Sequence, residues 1–90
     1  MRKLVSVVDD DESVRESLPD LLRSFGLEAQ PFASAEEFLA SDSLQRTGCL
    51  VLDVAMPGMT GLELQQELTR RVHDIPIVFI TAHCRAAVDV

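Results

Sequence analysis

Short apolar runs alternate along the chain with amphipathic stretches whose apolar positions recur at helical spacing, the pattern of a parallel sheet carrying helices on its faces. LVSVV at 4–8 reads as a first strand. A helix over 12–25 follows, with Val14, Leu18, Leu21, Leu22 and Phe25 at core spacing and Gly26 placed to end it. Pro19 interrupts that pattern; it lacks a donor and crowds the carbonyl of Arg15, so a kink or a poorly formed first half is expected. LEAQPF at 27–32 is a short second strand, and Ser34-Ala35-Glu36-Glu37 has the form of a capping box opening a helix over 34–45. CLVL at 49–52 is apolar on both faces and therefore central. Residues 61–72 form a third helix with Leu62, Leu64, Leu68 and Val72 toward the core, and IPIVFIT at 75–81 is a fourth strand with Pro76 near its start.

Ninety residues with 47% hydrophobic content describe one packed domain. No apolar run approaches the roughly 20 residues of a membrane span, and Arg2-Lys3 is followed by no apolar region of signal-peptide length with a small-residue cleavage site, so a cytoplasmic protein is expected. Eight basic against fifteen acidic residues leave a net charge of −7, which argues against direct binding of nucleic acid. Cys49 and Cys84 stand at no metal-ligand spacing and read as reduced structural thiols. His73 and His83 lack a partner at such spacing and read as surface residues.

Chemistry concentrates at the carboxyl ends of the predicted strands, where open parallel sheets bind ligands. Strand one ends in Asp9-Asp10-Asp11-Glu12, strand three in Asp53, and strand four in Thr81. If strands one and three are neighbours, these carboxylates meet, and their mutual repulsion calls for a proton or a cation among them. Hard oxygen ligands in an open, hydrated site favour Mg2+, which in turn invites a phosphate, and a carboxylate is a competent phosphoryl acceptor. In that scheme Asp53 is the nucleophile, Asp9 and Asp10 hold the ion, and the Thr81 hydroxyl binds a phosphoryl oxygen. Plainer roles exist. Asp11 and Glu12 suit a helix N-terminus, Asp53 alone is readable as a turn acid before Met56-Pro57-Gly58, and Met56 and Met59 read as packing residues.

Three motifs carry a family likeness: VVDDDES at 7–13, LDVAMPGMTGLEL at 52–64 and IVFITAH at 77–83. Together they resemble the receiver domain of bacterial two-component response regulators, in wording the subfamily whose receivers precede LuxR-type DNA-binding domains. The resemblance implies a flavodoxin-like (CheY-like) doubly wound α/β sheet, here of order 2-1-3-4. It implies that Asp53 accepts phosphate from a sensor histidine kinase, with Mg2+ held by Asp10, Asp53 and the backbone carbonyl of Ala55 while Asp9 assists through water. Thr81 would be the switch hydroxyl and Ala82 the small residue that admits the phosphoryl group.

The chain also departs from the family. Residues 1–90 are expected to form a receiver that is incomplete at its C-terminus, lacking the fifth strand, its lysine and the fifth helix. Lys3, the only lysine, cannot substitute, since six strand residues at roughly 3.3 Å each put it about 20 Å from Asp9. An apolar edge at strand four would then favour a homodimer through 75–81 and 85–90. The alternative to a phosphoacceptor is therefore a dimerisation or protein-binding module that acts without phosphorylation. A phosphatase with an aspartyl nucleophile would need a lysine and a later acidic pair, and a calcium loop starting at Asp9 fails at Val14, where glycine is required.

Overall fold

The computed structural model describes residues 4–54 and 58–80. Its elements in chain order are β1 (Leu4–Val8), α1 (Glu12–Ser24), β2 (Glu28–Phe32), α2 (Ala35–Leu39), a 3-10 turn (Asp42–Arg46), β3 (Thr47–Asp53), α3 (Gly61–Arg70) and β4 (Ile77–Ile80). All pairings are parallel and the strand order is β2-β1-β3-β4, the expected doubly wound arrangement.

Alternation along the strands sends side chains to two opposite cores. Val5, Val7 and Val51 face α1, meeting Val14, Leu18 and Leu22. Val8, Leu50 and Leu52 face the other way, against Phe38 of α2, Leu44, and Leu64 and Leu68 of α3. Phe32 and Phe38 meet edge to face at 5.4 Å between ring centroids. Ser6 also points to the α2 side and is fully buried. Thr47 Oγ1 donates to the Ser43 carbonyl, so in the 2.7 Å contact between the two hydroxyls Ser6 is the donor. This chain of two bonds pins β1 to the start of β3, where the register shifts between Leu4 and Val5.

Four expectations are corrected. Helix α1 is continuous through Pro19, which is fully buried: the proline forfeits one backbone bond, while caps at both ends and packing on β1 and β2 hold the rest. Leu21 and Phe25 do not join the core. The buried stripe runs through Val14, Leu18, Pro19 and Leu22, Leu21 lies roughly a quarter-turn from it, and Phe25, 72% exposed, is already past the helix end. The helix expected over 34–45 divides, because Ser41 takes an extended conformation and turns both its N–H and its hydroxyl to the Phe38 carbonyl. In α3 the buried face is Gly61, Leu64 and Leu68, whereas Leu62 is exposed. Val72 lies beyond the helix with φ +62, 89% exposed, while the His73 N–H closes the end on the Leu68 carbonyl.

Other expectations hold in part. Ser34 accepts the Glu37 N–H as a cap should, but the Glu37 carboxylate returns to the Ala33 N–H rather than to that of Ser34. Strand β3 is longer than CLVL and contains Asp53 as its last residue, and β4 begins at Ile77, two residues later than expected, with Thr81 outside the described residues. The Leu50 N–H bonds the Pro76 carbonyl, so Pro76 serves the sheet as an acceptor only. Cys49 is a free thiol and His73 is half-buried. Cys84, His83, Met56 and Lys3 lie outside the described residues.

Candidate functional site

Register decides which acids meet. Val7 pairs with Val51 and Val8 with Leu52, so the next residue on each strand is Asp9 and Asp53. The Asp9 N–H bonds the Phe32 carbonyl at 3.1 Å, which carries the sheet ladder one residue past β1 and fixes where that side chain starts. Both carboxylates are buried, Asp9 being 1% exposed and Asp53 3%, whereas Asp10 beside them is exposed. One carboxylate oxygen from each of Asp9, Asp10 and Asp53 lies within 4.8 Å of the others.

The β1–α1 turn is held by its own acids. Asp9 Oδ1 accepts the Asp11 N–H at 2.8 Å, and Asp11 Oδ1 accepts the Ser13 N–H at 2.8 Å, capping α1. Asp11 is thus the expected N-cap, and Glu12 the first-turn acid. From the second turn of α1, the Arg15 guanidinium donates to the Asp9 carbonyl at 3.1 Å. Burial pushes the Asp9 carboxyl above its ordinary value; the Asp11 N–H draws it down, and the charges of Asp53, Asp10 and Asp11 push it up again.

The segment after Asp53 is equally constrained. The Val54 N–H bonds the Ile80 carbonyl at 3.0 Å, and the Gly61 N–H returns to the Val54 carbonyl at 3.2 Å. Thr60 and Glu63 form a full capping box at the start of α3. A Cβ on Gly61 would lie 2.6 Å from the Asp53 carbonyl oxygen, so only glycine lets α3 begin this close to the acid. Gly58 adopts φ +76, and the Met59 N–H donates to Glu36 Oε2 at 3.3 Å.

Of the residues singled out from sequence, Asp9, Asp10 and Asp53 are brought together. Ala55, Thr81 and Ala82 lie outside the described residues, although the pairing of Asp53 with Ile80 ends β4 beside the site. Arg15 and Glu36 carry no signal in the motifs: each stands outside them and reaches a backbone group within one, at Asp9 and at Met59, while the close approach at Gly61 is invisible in a helix-start pattern.

The donor set suits a small hard cation. Octahedral Mg2+ at about 2.1 Å spans roughly 4.2 Å between opposite ligands, so oxygens within 4.8 Å of one another are of a spacing that could hold such an ion.

Residues 5–89 match the response regulator receiver domain. The chain is 52% identical over 82 residues to nodulation protein W of Bradyrhizobium diazoefficiens, covering 91% of this chain and 36% of that protein. Its structure is similar to that of the response regulator StyR (TM-score 0.85, 55% identity, 92% of this chain and 42% of that one). It is also similar to the response regulator protein TrrA of Thermotoga maritima in complex with Mg2+-BeF (TM-score 0.80, 32% identity, 98% and 76%). The chain belongs to the receiver-domain family of response regulators. It spans about 36% of the length of the first of these relatives.

Proposed function

We propose that this receiver is a phosphoacceptor, taking a phosphoryl group onto Asp53 from a sensor histidine kinase in the cytoplasm. The observation that supports this most is the convergence of Asp9, Asp10 and Asp53 at the carboxyl end of the sheet, two of them buried. Burying like charges is costly unless a proton or a cation joins them, and Mg2+ is the cation the donor set favours. Asp10, Asp53 and the Ala55 carbonyl would hold Mg2+, with Asp9 assisting through water. When bound, the ion supplies positive charge against the phosphoryl oxygens. A Mg2+ complex of the similar protein TrrA supports the choice of ion.

In the transfer, an Asp53 carboxylate oxygen bonds to phosphorus as the phosphorus–nitrogen bond of the donor phosphohistidine breaks. The nitrogen leaves with the electron pair and takes up a proton. Thr81 offers its hydroxyl to a phosphoryl oxygen, and the small Ala82 leaves room for the group. Such a domain is a signalling acceptor rather than an enzyme with turnover.

The test is intact-mass measurement after incubation with Mg2+ and acetyl phosphate. Wild type should gain one phosphoryl mass and Asp53→Asn none; equal gain by both proteins, or by neither, refutes the assignment.

A second reading rests on β4, whose Val78 is 52% exposed and whose Phe79 is also exposed. A homodimer through 75–81 and 85–90 would cover this edge whether or not Asp53 is modified; residues 81–90 lie outside the described part. Sedimentation at micromolar concentration should then give twice the monomer mass, and Val78→Lys should halve it. A monomer at all concentrations refutes the dimer.

A further inference from the structure

We propose that Glu36, on α2, is a positioning residue for Asp53: its carboxylate latches residues 58–61, which open α3 and bond back to Val54 beside the acid. The inference rests on the phosphoacceptor reading and deepens it. Glu36 is 23 positions from Met59 in sequence, yet Glu36 Oε2 accepts the Met59 N–H at 3.3 Å. The same oxygen would lie 3.3 Å from a Cβ on Gly58, whose φ of +76 places the turn directly beneath the carboxylate.

Met59 is gripped from both ends. Its side chain packs on the core formed with Phe38, Leu52 and Leu64, while its N–H is satisfied by α2. On the far side of the same segment, Thr60 caps α3 and the Gly61 N–H bonds the Val54 carbonyl. Residues 58–61 are therefore fixed to the α2 layer at one end and to the end of β3 at the other. Their only bond to α2 through a side-chain oxygen, among the described residues, is that of Glu36. A turn left free on that side would loosen the Gly61–Val54 bond beside Asp53, and metal and phosphoryl geometry tolerate little misplacement.

The hydrogen bond needs an acceptor rather than a charge, so glutamine should serve and alanine should not. Wild type, Glu36→Ala and Glu36→Gln are compared by Met59 amide exchange in NMR and by the rate of phosphoryl uptake from acetyl phosphate with Mg2+. Glu36→Ala should accelerate Met59 exchange and slow uptake by roughly 3- to 10-fold, the range expected for one lost hydrogen bond. Glu36→Gln should stay within about twofold of wild type on both readouts. Unchanged Met59 exchange in Glu36→Ala overturns the latch, and wild-type uptake by that variant overturns its positioning role. Slow uptake in both variants overturns the hydrogen-bond account in favour of the charge. A wild-type protein that takes up no phosphoryl group refutes the phosphoacceptor reading, and this proposal with it.

Discussion

Replacing Gly61 by alanine sets two local forces against each other, and the structure says which wins. Helix propensity favours alanine in a helix by up to about 1 kcal/mol. Sterics oppose it, because the new Cβ would sit 2.6 Å from the Asp53 carbonyl oxygen and 3.1 Å from Val54 Cα. All the atoms it meets are backbone, so no side chain can swing aside; either the start of α3 or the end of β3 must retreat by about 0.8 Å to reach an ordinary 3.4 Å contact. Forced insertion of this kind costs roughly 1–3 kcal/mol. The expected outcome is a net loss of about 1–2 kcal/mol in urea unfolding followed by circular dichroism. Because the retreat moves Asp53 relative to Asp9 and Asp10, Mg2+ affinity should fall about tenfold. A Gly61→Ala protein that unfolds at the same or higher urea concentration than wild type, with unchanged Mg2+ affinity, would refute the claim that this close approach positions the acid.

Val72 is a β-branched residue at φ +62; relief of that strain, less the extra entropy of glycine when unfolded, makes Val72→Gly more stable by about 0.5–1 kcal/mol, and a lower melting temperature would contradict it. In protein freed of divalent ions, the folded Asp9 carboxyl titrates above its ordinary 3.8. The stability this group contributes is therefore fully present below 3.8 and is lost as pH rises through its folded titration. Urea midpoints across pH should show that fall in wild type and not in Asp9→Asn; identical slopes would refute it. Glu67, between Arg70 and Arg71, is pulled down from 4.5 to about 2. Its contribution is present above 4.5 and lost as pH falls through about 2, so carboxyl NMR should give a midpoint near 2, and one near 4.5 would show the pairs do not persist in solution.

Much of this was legible in the chain because the strand ends carry their own labels. The acids after LVSVV and CLVL need only the neighbouring of β1 and β3 to converge, and right-handed crossovers supply it. Helix faces were harder to read. Leu21 and Leu62 fit a helical stripe but lie off the one that the sheet covers, Phe25 falls just past the helix end, and periodicity fixes neither the centre of a stripe nor the last turn. Pro19 and Ser41 show the reverse failure: the proline's missing donor is visible in the sequence while its burial is not, and the serine's pull on the Phe38 carbonyl leaves no pattern in hydrophobicity. Glu36 and Arg15 act on backbone groups brought near only by the fold, which no local spacing encodes.

Phosphoryl acceptance at Asp53 depends on the sheet holding separate carboxylates close enough to share one divalent ion. Calorimetric titration of Mg2+ into wild type, Asp10→Ala and Asp53→Ala, each shown folded by circular dichroism, tests this directly. Saturable binding at one site in wild type, lost in both variants, is the expected result; no binding in wild type, or binding that survives either substitution, would contradict it.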